Sequence, residues 1–243
     1  MNILITGASG QLGAAIAAEL GDDHRLRLMD GVPAAAGGGH ECIEGSILAP
    51  DDAWLAVRDM DVVIHTADPP PDLPAEGLAR DQALLDLATR GTHVLFKAAL
   101  SAGVKKFIYA GSLDVFAPYP MDVHISELYR PLPSSDMATM ARYLGERVCR
   151  EFARDHAITC TCLRLGTLVR ADQVSKQTPD HSWLDPRDAA RAFRCALKRD
   201  RAGSTHWINR WKIIHVCADF DNPRFLIDAA QGMGFRPEHG FEV

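Results

Sequence analysis

The sequence predicts an α/β fold, a doubly wound parallel sheet with helices on both faces. Apolar runs of strand length recur along the chain, at residues 2–6, 61–67, 105–112 and 158–165. Segments with helical apolar periodicity lie between them, at about 11–20, 78–102 and 135–156. Strands buried on both faces form continuous apolar runs, and alternation with helices indicates a parallel sheet. We assign residues 1–166 to this sheet, and residues 167–243 to a small substrate-side lobe that is interleaved with it.

Bulk composition excludes several classes of function. The 243 residues are 47% hydrophobic and 24% charged, with a formal net charge of -6. This balance provides no basic surface for nucleic acid, and no apolar run is long enough to span a membrane. The six cysteines contain no C-x-x-C pair and no metal-ligand spacing, which favours free, buried thiols in a reducing cytoplasm. We expect a cytoplasmic protein with a small-molecule substrate and no metal.

The first thirty residues form the strongest motif. Strand 2–6 runs into the turn Gly7-Ala8-Ser9-Gly10-Gln11-Leu12-Gly13, and a small-residue helix follows and ends at Gly21. In a dinucleotide-binding βαβ unit the first glycine makes the tight turn and the second lets backbone N–H groups approach a pyrophosphate. The third glycine lets the helix pack against the sheet. The helix N-terminus adds a partial positive charge, so we predict a Rossmann cofactor site with Gln11 and Leu12 beside the glycines.

An acidic residue ends the next strand and indicates which cofactor binds. Asp30 closes the alternating segment 24–30 and is placed to accept both ribose hydroxyls of an adenosine, which would repel a 2′-phosphate. NAD is therefore the predicted cofactor. NADP stays open at this point, because Arg25 or Arg27 would reach the ribose if the loop folded back. Two other readings are a glycine turn with no ligand and a flavin site, which would make the purified protein yellow.

The remaining elements follow in order. Residues 31–40 are predicted as a flexible surface loop, and a short strand at 41–44 precedes Gly45-Ser46-Ile47. Asp51 and Asp52 are predicted to cap a brief helix around Trp54. The strand at 61–67 is followed by a proline-rich loop and the long helix 78–102. The strand 105–112 comes next and ends on Ser112. The helix 135–156 and the strand 158–165 follow it. The last third predicts a helix at 185–199, one or two strands at 206–216 and a helix at 224–233.

At this point the chain resembles an extended short-chain dehydrogenase/reductase of the NAD-dependent epimerase/dehydratase family. The cofactor turn carries the resemblance together with Gly45-Ser46-Ile47, Ile64-His65-Thr66-Ala67, Gly91-Thr92-His93-Val94-Leu95, Leu163-Arg164-Leu165-Gly166 and Trp183-Leu184-Asp185-Pro186-Arg187-Asp188-Ala189-Ala190. The carboxyl end at 232–237 is most similar to the uronate dehydrogenase branch. The resemblance implies an active-site hydroxyl at Ser112 and a cofactor site that comprises Gly7, Gly10, Gln11, Leu12, Gly13, Asp30, Ser46, Ile47, Thr66, Ala67, Arg142 and Leu165.

The family's catalytic signature, Tyr-x-x-x-Lys, is missing. Glu146 and the spacing to Leu163-Arg164 fix the register of the helix, so Ala138 stands at the Tyr position and Arg142 at the Lys position. Tyr143 is rotated by roughly 140° from the tyrosine position around the helix and is predicted to face elsewhere. A second departure is Ala88, which stands where the family often has an Asn before Gly-Thr.

These departures remove the usual proton acceptor. In the family the Tyr phenolate takes the substrate's hydroxyl proton, and the Lys lowers the phenol's pKa and holds the nicotinamide ribose. Arg142 stays protonated and is no base, but its planar fork would bind ribose hydroxyls. Ser112 would still hydrogen-bond a substrate. Tyr119 and His124 are minor candidates for a replacement base, His65 is predicted as a hydrogen-bonded core histidine, and His181 and Trp183 either line the substrate side or pack.

Two functions therefore compete. The first is an NAD-dependent oxidoreductase or epimerase that acts on a sugar-like or other hydroxyl- or carbonyl-bearing molecule with an atypical proton acceptor. It predicts a substrate-sized cavity beside Ser112 that contains an ionisable side chain. The second is a non-catalytic, NAD-binding regulatory or sensor protein, which predicts a filled or apolar pocket. The sequence favours the first. The stripe Met140, Leu144, Val148 and Phe152 also raises the hypothesis of a homodimer.

Overall fold

The sheet has seven strands, all parallel, in the part of the chain that the structure describes. The computed structural model describes residues 1–32, 39–66, 73–174 and 177–241. The strands, in chain order, are β1 Asn2–Thr6, β2 Arg25–Asp30, β3 Glu41–Glu44, β4 Val62–His65, β5 Lys106–Ser112, β6 Thr159–Leu165, β7 Thr167–Leu168, β8 Trp183–Leu184 and β9 Trp211–Val216. The sheet order is β3-β2-β1-β4-β5-β6-β9, and β7 pairs with β8 outside it. The predicted doubly wound parallel sheet is confirmed.

Helices cover both faces of the sheet. They are α1 Gln11–Leu20, α2 Pro50–Val57, α3 Leu78–Asp86, α4 Thr92–Ser101, α5 Met137–Asp155, α6 Pro186–Leu197, α7 Trp207–Arg210 and α8 Asp228–Gly232. α1 and α6 pack together on one face, over a buried layer that includes Ile5, Ile16 and Phe193. α2, α4 and α5 cover the other face, over a layer that includes Phe96 and Phe107. Burial on both faces explains why the strand sequences are apolar throughout.

The strand order places a crevice at the carboxyl ends of the strands. The order reverses between β1 and β4, and ligands of open α/β sheets bind at such a reversal. In the register, Thr6 pairs with Met29 and with His65, so Asp30 and Thr66 follow at the same edge. Ser112 at the end of β5 pairs with Leu165 at the end of β6. The topology thus gathers most of the predicted site residues along one edge of the sheet.

One local prediction is confirmed with a difference in detail, and another is wrong. The predicted helix 78–102 runs from Leu78 to Ser101, with a π-helical turn, Leu87–Gly91, between α3 and α4. Gly91 lies against Ile47, whose Cδ1 would be 2.8 Å from a Cβ at this position, so the close approach needs glycine. Asp51 and Asp52 do not cap α2, because Pro50 starts the helix after Ala49 and both acids lie in its first turn.

The last third also differs from the prediction. Residues 207–210 form the short helix α7 rather than a strand, and only β9 is extended. The predicted helix 224–233 shrinks to α8, because Phe225 forms a β-bridge with Ile125. β9 nevertheless completes the main sheet beside β6, and α6 packs against α1.

Two bulk expectations can be compared with the structure. Four cysteines, Cys149, Cys160, Cys162 and Cys217, are free and buried, but Cys42 is exposed and Cys195 is half-buried, so burial does not hold for all six. Among the described residues, no helix is long and apolar enough to cross a membrane. Most of the predicted loop 31–40 lies outside the described residues.

Candidate active site

The glycine turn builds a cradle for an anion at the start of α1. Gly7 has a φ of 75°, a left-handed conformation that favours glycine. Gly10 precedes α1 with no capping side chain among the described residues, and the first turn holds no acidic residue. A Cβ on Gly13 would lie 2.1 Å from the Gly7 carbonyl oxygen, so only glycine lets helix and turn approach this closely. The open N–H groups of Gln11 and Leu12 therefore suit the phosphates of a dinucleotide.

Asp30 stands at the end of β2 beside this turn. Its carboxylate accepts hydrogen bonds from the Ser9 N–H at 2.9 Å and from the Gly31 N–H at 2.7 Å, while both of its oxygens remain at a half-exposed edge. The position fits the ribose hydroxyls of an adenosine. The residues present at this edge therefore fit a dinucleotide without a 2′-phosphate.

The two arginines that the sequence offered as partners for the 2′-phosphate of NADP do not lie beside Asp30. Arg27 donates hydrogen bonds to the carbonyls of Ala56 and Arg58 and pairs with Glu41 at 2.9 Å. Arg25 is exposed and pairs with Asn2 at the amino end of β2, about 16 Å of strand from Asp30. Neither arginine is placed to hold a 2′-phosphate, so the structure favours NAD.

The other predicted cofactor residues lie along the same edge. Ser46 donates its N–H to the Asp52 carboxylate at 2.9 Å, and Ile47 is buried. Thr66 is buried, and its hydroxyl donates to the Thr6 carbonyl oxygen at 2.8 Å, which ties the ends of β4 and β1 together. Leu165 is buried beside Ser112. Ala67 lies outside the described residues.

His65 is a structural residue, as the sequence predicted. Its ring nitrogens lie 2.7 Å from the Thr6 hydroxyl and 3.0 Å from the Thr92 hydroxyl, and the ring is fully enclosed. Burial, and to a lesser extent the positive charge of Arg142, lowers the pKa of His65 to about 3. The imidazole is therefore neutral and has both nitrogens engaged at neutral pH.

A cavity lies beside Ala138, the residue that the sequence places at the family's tyrosine position. Its volume is about 110 Å³. Its lining includes His65, Thr66, Arg80, Leu84, Leu87, Ala88, Tyr109, Ala110, Ala138, Ala141 and Arg142. Tyr143 is outside this lining and places its ring 5.5 Å from the Arg147 guanidinium, so it does not take the place of the missing phenol.

Arg142 and Tyr109 are the ionisable side chains on the α5 and β5 walls of the cavity. The Arg142 guanidinium reaches the Ala110 carbonyl at 3.5 Å. Burial lowers its pKa, but arginine keeps its proton at physiological pH. The Tyr109 hydroxyl donates to the Arg142 carbonyl oxygen at 3.1 Å, and burial raises the pKa of Tyr109 well above its usual value. Neither side chain is a base at neutral pH.

Ser112 has a partner that the sequence reasoning missed. The half-buried Ser112 hydroxyl donates to Asp114 Oδ2 at 2.8 Å and accepts the Asp114 N–H at 3.0 Å. This pairing caps the short 3-10 turn Leu113–Phe116 at the end of β5. The Ser-x-Asp spacing directly after a strand is the signal that could have identified it, because serine side chains commonly bond the backbone two residues on.

The minor candidates separate into two groups. The Tyr119 hydroxyl donates to the Arg130 carbonyl oxygen, and Trp183 packs edge-on against Phe241. By contrast, His124 and His181 line one cavity of about 200 Å³ with Met121, Asp122, Asn222, Pro223 and Arg224. The His124 Nδ1–H donates to the Pro223 carbonyl oxygen at 2.6 Å. The two histidines therefore line the same cavity, at a place distinct from the Ala138 cavity.

Comparison with known proteins places this geometry among related enzymes. A family model described as the NAD dependent epimerase/dehydratase family matches residues 3–181. An NAD-dependent glucose-6-phosphate dehydrogenase of Haloferax volcanii is 28% identical over 97% of this chain and 92% of the relative. An L-arabinose 1-dehydrogenase (NAD(P)(+)) of the same organism is 24% identical over 97% of this chain and 95% of the relative.

A solved structure gives the same fold. Uronate dehydrogenase from Agrobacterium tumefaciens, as a tyrosine-to-alanine variant complexed with NAD, matches with a TM-score of 0.76 at 18% identity. The match covers 98% of this chain and 84% of that chain.

Proposed function

Because the chain belongs to the NAD-dependent epimerase/dehydratase family, we propose that it is an NAD-dependent dehydrogenase or epimerase that acts on a hydroxyl group of a sugar-like molecule. The observation that carries the proposal is the intact cofactor edge beside an open pocket. The glycine turn, Asp30 and Ser112 lie along the carboxyl edge of one sheet. The named relatives act on glucose-6-phosphate and L-arabinose, which supports a sugar-like substrate.

The residues that would hold the cofactor lie along the carboxyl edge of the sheet. The N–H groups at the start of α1 would bind the pyrophosphate, and Asp30 would bind the adenosine ribose. Arg142 would bind the nicotinamide ribose with its planar fork. Ser46, Ile47, Thr66, Ala67 and Leu165 complete the proposed contacts. NAD supplies a hydride acceptor when bound, while this chain's own residues orient the substrate and handle its proton.

The dehydrogenases among the relatives support an enzyme rather than a cofactor-binding sensor. A sensor that kept only the fold would be expected to have a filled or apolar pocket at the Tyr position. The cavity beside Ala138 is neither filled nor wholly apolar, because Thr66, Arg80 and Arg142 line it, but its volume of about 110 Å³ is smaller than a sugar-sized pocket and Ser112 lies outside its lining. Ser112 lies two residues beyond Ala110 on the same face of β5, where it would contact a substrate hydroxyl. We assign the substrate side to residues 167–243.

The cofactor proposal is tested by calorimetric titration with NAD, NADH and NADPH. We expect NADH to bind and NADPH to bind more weakly, because the Asp30 carboxylate repels a 2′-phosphate. Asp30→Ala should weaken NADH binding by at least about tenfold through loss of hydrogen bonds to the ribose. Asp22→Ala removes the same charge from an exposed position and is the matched control. Equal NADH affinity in both variants would contradict the assignment of Asp30.

The substrate proposal is tested by incubating the protein with NAD and a panel of aldoses, sugar phosphates and uronates. Formation of NADH identifies an oxidation, and chromatography of the sugars identifies an epimerisation. Turnover of one panel member supports the enzyme. A protein that binds NADH tightly but converts no panel member would favour the regulatory alternative.

We further propose that the protein forms a homodimer in the cytoplasm. Met140, Leu144 and Val148 are only half-buried, and a groove of about 560 Å³ runs along α4 and α5 beside Leu144, Val148 and Phe152. An apolar stripe left half-open on a surface is typical of an interface. Leu144→Glu should convert a dimer to a monomer in light scattering, whereas Leu128→Glu, at a residue that is 96% exposed, should not. A monomeric wild-type protein would contradict the proposal.

A further inference from the structure

We propose that Asp114 is the terminal proton acceptor of the reaction and that the Ser112 hydroxyl carries the proton to it. The inference rests on the proposed dehydrogenase or epimerase function and identifies the group that replaces the missing phenol. In this chain the acid–base chemistry moves from helix α5 to the end of strand β5.

The geometry at the end of β5 fits a relay. The Ser112 Oγ lies 2.8 Å from Asp114 Oδ2, a normal length for a hydroxyl that donates to a carboxylate. The same oxygen accepts the Asp114 N–H at 3.0 Å, so two hydrogen bonds hold Ser112 and Asp114 together. A serine oxygen has two acceptor lone pairs, so one remains for a substrate hydroxyl.

Other ionisable groups near the pocket do not fit the role. His65 has both nitrogens in hydrogen bonds with threonine hydroxyls inside the core. Tyr109 is buried and donates its proton to a backbone carbonyl. Arg80 and Arg142 are permanent cations. Among the described residues at this edge, Asp114 is the carboxylate that directly contacts the predicted substrate-binding hydroxyl.

The proton balance of the step is complete. As hydride leaves the substrate carbon for the nicotinamide, the substrate O–H bond breaks and its proton passes to Ser112 Oγ. The original Ser112 proton passes to Asp114 Oδ2, so the alcohol becomes a carbonyl, the serine is regenerated and the carboxylate becomes a carboxylic acid. Because Asp114 is exposed, it then returns the proton to water.

The test compares Asp114→Asn with the wild-type protein on the substrate identified above. Asparagine keeps an oxygen that accepts the Ser112 hydrogen bond but takes up no proton, so it preserves positioning and removes the acceptor. We expect kcat to fall by about 10²–10⁴-fold, with KM changed by less than about threefold. Calorimetric affinity for NADH and the unfolding temperature should not change. Asp51→Asn, at an exposed position on α2, is the control and should keep full activity.

A second variant distinguishes an acceptor from a structural role. Adding Ala138→Tyr to Asp114→Asn places a phenol beside Arg142 and should recover at least about tenfold of the lost kcat. A phenol takes up the substrate's proton only after it has lost its own, so a rate that depends on the phenol falls as the pH drops from the alkaline range. The rescued enzyme should therefore lose activity at a higher pH than the wild type does.

The outcomes separate the relay from the function. Asp114→Asn that retains wild-type kcat and pH profile would overturn the relay while the enzyme stands. Loss of kcat that Ala138→Tyr does not recover would indicate a positioning role for Asp114 and would also overturn it. A wild-type protein that binds NADH but converts no sugar contradicts the proposed function and the relay together.

Discussion

Breaking the buried ion pair between α5 and β6 should cost much of the protein's stability. The Arg164 guanidinium donates to both Glu146 carboxylate oxygens at 2.8 Å, and each side chain is only 2% exposed. Glu146→Gln removes the negative charge and leaves the Arg164 cation inside the fold. A cation–π contact with the Phe116 ring at 5.1 Å is a weak substitute for that charge.

The size of the effect follows from this burial. Removing one partner of a buried ion pair costs about 3–5 kcal/mol, because the remaining charge is desolvated without compensation. That is a large share of the roughly 5–15 kcal/mol that holds a typical domain folded. For a chain of this length the loss corresponds to a fall in Tm of about 6–20 °C. Since α5 also carries Ala138 and Arg142, we expect weaker NADH binding as well.

Thermal and urea unfolding, followed by circular dichroism, measure the loss. The matched control is Glu151→Gln on the same helix, where the exposed pair with Arg154 is screened by water and should contribute little to stability. The double variant Glu146→Leu/Arg164→Met should recover most of the loss, because apolar side chains replace both charges. The reasoning is refuted if Glu146→Gln lowers Tm no more than the exposed control does.

Three further predictions concern pH, the glycine turn and the cavity. Burial, and less strongly the charge of Arg164, lowers the pKa of His215 to about 3. Between pH 6.5 and about 3, His215 is therefore protonated in the unfolded chain and neutral in the folded protein. Stability should therefore fall between pH 6.5 and about 3, by up to about 1.4 kcal/mol per pH unit, and acid titration of His215→Phe should give a shallower fall. Gly13→Ala, whose Cβ would lie 2.1 Å from the Gly7 carbonyl oxygen, should lose NADH affinity in calorimetry, whereas Gly203→Ala, in open space, should not. Ala138→Tyr places a phenol in the cavity of about 110 Å³ and should raise Tm in thermal unfolding through the apolar surface that the ring buries, while a fall in Tm would indicate overpacking.

The parts predicted correctly are those encoded by neighbouring residues. The turn from Gly7 to Gly13, the helix after it and the acid at Asp30 lie within one βαβ unit, so their spacing alone defined the geometry. The family was recognised for the same reason, because its motifs are short and local. His65 as a core residue followed from its position in an apolar strand.

The parts predicted wrongly depend on contacts between distant residues. Residues 207–210 turn helical where Arg210 donates to the Ala153 and Arg154 carbonyls at the end of α5. Arg224 donates to the carbonyls of Phe116 and Tyr119, and the next residue, Phe225, forms a β-bridge with Ile125 instead of joining a helix. The local sequence pattern of either segment cannot predict these distant hydrogen-bond partners. Tertiary contacts therefore override the weak secondary-structure propensities of both segments.

The two changes in the catalytic signature are consistent with each other. A lysine at position 142 would serve two purposes in the family, lowering the pKa of the phenol and holding the ribose, and the first purpose disappears once Ala138 replaces the tyrosine. Burial favours the neutral form of a lysine, but an arginine keeps its charge in the same place and presents a planar fork to hydroxyl groups. Arg142 is thus suited to the purpose that remains. The proton then needs an acceptor outside α5, and the Ser112–Asp114 pair, at the same edge of the sheet and open to water, provides one.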